Sequence, residues 1–232
     1  MKTINPSELS PMQVQMILQT AVSPRPIALA STIDKNGNVN LSPFSFFNLF
    51  SSNPPILIFS PARRVRDNST KDTLHNVLEV PEVVIGNVNF DMVQQVSLSS
   101  TEYETGVDEF IKSGLTKKPS ELVKPPLIAE SPVNFECKVI EVKPLGNEGG
   151  AGNLVICEVL RIHIKEEFLN EEGNLDQKKL DWVSRLGGNW YGRTSAETLF
   201  EVPKPLVTKG IGFDQLPSEI KHSKVFTGND LG

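Results

Sequence analysis

A chain of 232 residues is long enough for one large domain or two small ones. Its 23 Lys and Arg against 28 Asp and Glu leave a formal net charge of -5, the wrong sign for a nucleic-acid or anionic-membrane protein. The 17 prolines are scattered singly or in pairs, which excludes a long coiled coil, because proline breaks helix interiors.

Ser10-Pro11 supplies an N-cap followed by proline at the first helical position, and Val14, Ile17, Leu18 and Ala21 recur at helical spacing. A short helix is therefore predicted over 11–20, stopped by Ser23-Pro24-Arg25-Pro26. Residues 27–33 form a strand candidate with apolar residues on both faces at its start. The Asn36-Gly37 turn returns the chain into a partner strand over 39–43. Residues 54–59 read as a buried strand, 62–71 as a polar, basic loop, and 72–79 as a helix closed by Pro81. A strand follows over 83–88. Helices follow behind Asp91 and around Phe110, the second ending at Gly114.

Residues 116–131 read as irregular and proline-rich. In 133–143, Val133, Phe135, Cys137 and Val139 alternate with polar residues. In 154–165, Leu154, Ile156, Leu160, Ile162 and Ile164 are assigned to one face. A helix is expected near 180–186. The tail from Thr208 onward is polar and is expected to be partly mobile. Hairpin-joined strands with short helices between them define a mainly β fold, an antiparallel barrel with helical decorations. One domain over 1–232 is expected, with its core at about 20–205 and a tail over 206–232.

Cys137 and Cys157 are too few for a disulfide framework, and the three histidines are well separated, so no metal site is expected. The first ten residues lack the pattern of a signal peptide, and no apolar run approaches the roughly 18 residues of a membrane span. A cytoplasmic protein without membrane or nucleic-acid partners is the resulting expectation.

Ser31, Thr32, Asn40, Ser42, Ser45 and Ser60 lie at or near the ends of three neighbouring strand candidates. Lys71-Asp72-Thr73 opens the next helix. Hydroxyls, a lysine and a helix start are the parts that hold a phosphate. The same residues also suit ordinary strands and turns, with Asp72 as a routine cap. No Walker-type or dinucleotide glycine motif is present, and the run Gly146 to Gly152 reads as a mobile hairpin loop rather than a phosphate cradle. No Gly-x-Ser-x-Gly or grouped His supports a hydrolytic triad. Four phenylalanines fall between Phe44 and Phe50. They fill a core or a subunit interface, or they wall an aromatic cofactor, with different rings free to take different parts.

Three stretches, Ser23-Pro-Arg-Pro-Ile-Ala-Leu-Ala-Ser-Thr32, Asn40-Leu-Ser-Pro-Phe-Ser-Phe-Phe-Asn48 and Lys71-Asp-Thr-Leu-His-Asn76, occur in the order and spacing of the flavin reductase-like family. Asp108-Glu-Phe, Pro125 to Val133, Phe135-Glu-Cys and Arg185-Leu-Gly-Gly188 with Tyr191 strengthen the resemblance, which spans about 20–205. It implies a six-stranded antiparallel Greek-key split β-barrel, a homodimer, and FMN near the subunit interface. On that resemblance Ser31, Thr32 and the strand carrying Asn40, Ser42, Pro43, Phe44 and Ser45 line the flavin. Ser60, Lys71 and Thr73 surround its phosphate, and Asp72 caps the helix. NAD(P)H is the implied electron donor, with a monooxygenase or other acceptor as partner and no catalytic side chain required. A non-catalytic electron carrier and a direct flavin-dependent oxidase are the alternatives. The roles of Arg63, Arg64 and Arg66, at a phosphate or in solvent, and of Trp190-Tyr191, over a ring or in packing, stay open.

Overall fold

The computed structural model describes residues 1–202, 212–216 and 218–222. By its contacts the chain divides into a body, Met1–Ala196, and a C-terminal unit, Glu197–Gly232. Within the latter, a 3-10 turn Phe213–Gln215 and a short helix Ser218–Lys221 are described, and most of the predicted polar tail lies outside the described residues.

The body starts with α1 (Pro11–Ala21), closed at its N-terminus by a capping box between Ser10 and Gln13. Strands β1 (Ala28–Ile33), β2 (Val39–Phe44), β3 (Phe47–Ser52) and β4 (Pro55–Phe59) follow, then α2 (Asp72–Glu79) and β5 (Glu82–Asn87). Helices α3 (Val93–Ser99) and α4 (Glu109–Ser113) precede a two-stranded patch, β6 (Lys117–Lys118) with β7 (Leu127–Ile128). The long pair β8 (Val133–Pro144) and β9 (Asn153–Ile164) leads to α5 (Gln177–Leu180) and the hairpin β10 (Trp182–Arg185) with β11 (Tyr191–Thr194). Among the described residues no helix is long and apolar enough to cross a membrane.

Seven strands form one antiparallel sheet in the order β2-β1-β5-β8-β9-β4-β3. The sheet has seven strands where six were expected, because the phenylalanine cluster itself contributes β3, and among the described residues it ends in β2 and β3. The expected helix over 180–186 is also overturned. Asp181 takes a left-handed conformation that ends α5 after one turn, and 182–185 pair as a strand with β11.

Two apolar clusters cover the two faces of the sheet. Leu29, Leu41, Val84, Met92, Val96 and Phe110 pack under α3 and α4. Ala28, Ala30, Phe59, Val83, Ile85, Cys137 and Cys157 fill the other side with Leu74 and Val77 of α2. Successive residues of β1 thus point into opposite clusters, which is why its pattern is apolar on both faces.

The single face assigned to β9 does not form. Val159 opposes Cys137 and Arg161 opposes Glu136, so Leu160 is an extra residue that switches the alternation. Val155 and Cys157 are buried before this bulge, whereas Ile162 opposes Phe135 after it. The irregular segment 116–131 is tied to the sheet by two buried side chains of β8. Asn134 exchanges two 3.0 Å hydrogen bonds with the Ile128 backbone. Glu136, fully buried, accepts the N–H groups of Glu121, Leu122 and Val123 at 2.9, 2.6 and 3.0 Å. Its carboxylate also lies 2.6 Å from His163 Nε2.

Candidate functional site

The principal cleft, about 960 Å³, lies between α1, the β2–β3 turn and the loop that follows β4. Its floor is Pro43, Phe44, Ser45 and Phe46, with Ser60 at the end of β4. Phe44 is held from below by Phe59, the rings 5.2 Å apart. One wall is α1, through Met12, Val14, Gln15 and Leu18. The facing wall is the loop Arg63–Arg66, backed by Gly149 and Gly150.

That second wall is built from two loops remote in sequence. Arg63 N–H donates to Ala151 O at 2.8 Å, and Gly150 N–H donates to Arg63 O at 2.9 Å. A methyl group at Gly149 would lie 3.0 Å from Arg64 O and Val65 Cα, so the backbones touch. The glycine-rich run is the expected hairpin connection, between β8 and β9, and it is docked against the 63–65 loop as part of the cleft. Arg63 donates to Asn68 Oδ1 and O at 2.6 and 2.8 Å, and Arg64 to Ser69 Oγ and Thr70 O at 2.9 and 2.8 Å. These bonds hold both guanidinium groups beside the cleft. Arg64 Nε also lies 3.5 Å from Glu102, and Arg66 pairs with both Glu102 and Asp67, which raise its pKa.

Lys71 stands at the N-cap of α2 with its ammonium 4.9 Å from the Phe44 ring centroid. Among the described residues no carboxylate lies within ion-pair distance of it. Burial, and secondarily the charge of Arg64, push its pKa down. Ser60 Oγ is buried with no hydrogen-bond partner. A desolvated cation and an orphaned hydroxyl, each costly alone, are together a seat for an anion.

The structure divides the residues predicted from sequence. Pro43, Phe44, Ser45, Ser60 and Lys71 line the cleft. Asn40 Nδ2 donates to Thr73 Oγ1 at 2.9 Å and Asn76 Nδ2 to Thr32 Oγ1 at 3.1 Å, all four residues buried. These bonds seat α2 on β1 and β2, and so place Lys71. Ser31 is fully buried in β1 with its hydroxyl unpartnered, and Ser42 is half-buried in β2. Asp72 is not the cap expected of it: Lys71 holds the N-cap position with no side-chain cap bond, and Asp72, the first residue of α2, faces a separate polar hollow with Asp34, His75 and Glu79. Two wall elements escaped the sequence reading, α1 and the glycine run. The surplus of apolar residues on α1, with Met12, Met16 and Leu18 all exposed, was the available signal. The cysteines on the core strands are fully buried, and burial pushes both thiols well above their usual range.

An apolar cleft with a cationic rim, set on an antiparallel sheet, has the chemistry to suit a planar, anionic small molecule. The chain belongs to the flavin reductase like domain family, which matches residues 21–184. It is 38% identical over 208 residues to an uncharacterized protein of Halalkalibacterium halodurans, covering 89% of this chain and 98% of that one. Nitrilotriacetate monooxygenase component B of Bacillus cereus superposes with a TM-score of 0.81 at 28% identity, over 87% of this chain and 98% of that one. The 2-nitrobenzoate 2-nitroreductase NbaA of Pseudomonas fluorescens gives 0.77 at 27% identity, over 90% and 100%.

Proposed function

We propose that the cleft binds FMN and that the protein is an NAD(P)H-dependent flavin reductase. The observation that carries this reading is that one apolar cleft is lined both by the desolvated Lys71 ammonium, with no carboxylate within ion-pair distance among the described residues, and by Ser60, whose buried hydroxyl has no partner. These residues suit the group. A phosphate would satisfy the ammonium and the hydroxyl, and Pro43, Phe44 and Phe46 offer apolar surface to a ring system. When bound, FMN supplies the chemistry, accepting hydride at N5 and passing reducing equivalents on. The chain's part is positioning and charge. Lys71, Arg63 and Arg64 hold the anionic end, Phe44 fixes the depth of the ring pocket, and α1 restricts water from one side. No protein base or nucleophile is needed for hydride transfer, in keeping with a cleft lined by aromatic, aliphatic and cationic groups.

The partner protein is read from the likeness to nitrilotriacetate monooxygenase component B: an oxygenase would consume the reduced flavin. A second copy of the chain is read from the unpaired edge of β3, where Leu49 and Phe50 are 62% and 63% exposed. The deciding experiment is anaerobic mixing of the FMN-loaded protein with NADH and, separately, NADPH. Bleaching of the visible flavin absorbance with at least one donor is expected. Bound flavin left oxidised by both donors refutes the reductase and leaves an electron carrier.

A further inference from the structure

Helix α1 supplies a whole side of the cleft, yet none of its 11 residues is buried. A surface helix is ordinarily held by burial of an apolar stripe. This one is held at its two ends. At the N-terminal end Pro11 Cβ comes within 4.0 Å of the space a methyl group on Gly150 would occupy. At the C-terminal end the attachment is far more elaborate, and one side chain makes most of it.

Arg25 is only 7% exposed. Its guanidinium donates to the carbonyl oxygens of Gln19 and Val22, the second at 2.7 Å, where the end of α1 leaves its acceptors unpaired. It also donates to Leu186 O at 2.9 Å in the β10–β11 turn, and Nε reaches Ser45 Oγ on the cleft floor at 3.4 Å. The backbone of Arg25 is fixed in turn by paired bonds with Arg185, at 3.0 and 2.9 Å. The same turn meets α1 directly. A methyl group at Gly187 would collide with Thr20 Oγ1 and lie 3.0 Å from Thr20 Cβ.

We infer that Arg25 is a positioning residue that fixes α1 as the wall of the cleft, and so sets how long a bound flavin is retained. The residue type is dictated by the geometry. Four acceptors on three segments need the rigid, five-donor fork of a guanidinium, which the point charge of lysine cannot replace. A cation at a helix C-terminus is also favoured by the helix dipole. This inference rests on the flavin reading of the cleft for its kinetic consequence, though not for the position of α1.

The test uses Arg25→Lys, Arg25→Gln and Gly187→Ala in the full chain. Gly187→Ala pushes on Thr20 from outside the cleft and serves if the Arg25 variants fail to fold. Stopped-flow dilution of the FMN complex should show dissociation accelerated about tenfold, the size of one lost bond to a charged group, in all three. Hydrogen exchange of free protein should accelerate over 12–22 while β1, β5, β8 and β9 keep wild-type protection. Unchanged dissociation together with unchanged exchange in α1 overturns the inference. So does loss of protection throughout the sheet in every variant, which would make these residues general folding determinants. If the wild type holds no FMN, the flavin reading fails on its own, and exchange over 12–22 still decides the role of Arg25.

Discussion

Replacing Lys71 by Met separates the anion seat from the rest of the cleft. Methionine keeps the length of the stem over Phe44 and removes only the ammonium. A hydrogen bond to a charged group contributes about 1.5–3 kcal/mol, so FMN should bind roughly 10- to 150-fold more weakly. Riboflavin has the same ring and no phosphate, and its affinity should change less than about threefold. The free protein should lose no stability, because the ammonium it gives up is desolvated and has no carboxylate within ion-pair distance among the described residues. The pH dependence has a definite sign. In the free protein, burial first and then Arg64 hold the Lys71 pKa below 10.5. Between that lowered value and the unfolded one, the unfolded chain carries more protons, so the free protein gains stability as pH rises. A bound phosphate would restore the proton, so FMN affinity should fall over the same rise, and this dependence should vanish in Lys71→Met. Fluorescence titrations with FMN and riboflavin at neutral and alkaline pH measure all of it. Equal losses for both ligands, or an unaltered FMN affinity, would refute the placement of the phosphate at Lys71.

Glu136→Gln should destabilise the protein by about 3–5 kcal/mol in urea unfolding, since an amide turns a donor toward the N–H groups of the 121–123 loop. A loss under about 1 kcal/mol would mean that this buried carboxylate is not what holds the loop. Wild-type protein should scatter light as a dimer, and the double variant Leu49→Asp, Phe50→Ser should fall to the mass of a single chain. A wild type that stays monomeric at every concentration rules out the β3 edge as a subunit interface.

Local patterns located most elements of the sheet, because turns, caps and two-sided apolar strands leave marks within a few residues. Ser10-Pro11 begins α1, Asn36-Gly37 lies in the turn between β1 and β2, and Gly114 closes α4 in a left-handed conformation. What failed was set by partners distant in sequence. The bulge at Leu160 exists only in the register with β8, and the helix expected over 180–186 gave way to pairing with β11. The site was legible in part for the same reason. Phe44, Ser45, Ser60 and Lys71 belong to short motifs that meet in the cleft, whereas Thr32, Asn40 and Thr73 share those motifs but bond α2 to the sheet. Spacing alone does not separate a ligand-facing hydroxyl from one that fastens a helix.

That division explains how an open sheet can hold a defined cleft. No wall of the cleft is part of the sheet, and each is attached through polar bonds of fixed direction. The hydroxyl–amide pairs Asn40–Thr73 and Asn76–Thr32 set the start of α2, and with it Lys71. Backbone pairing between Arg63, Gly150 and Ala151 sets the arginine wall, and the Arg25 guanidinium sets α1. Apolar packing alone would let these segments slide, since burial has no preferred direction. Hydrogen bonds lose most of their strength within a fraction of an ångström and a few tens of degrees, so they fix register where packing cannot. Substitutions at the fastening residues should therefore alter ligand retention while sparing the two cores, whereas substitutions at Phe59 or Ile85 should weaken the whole body.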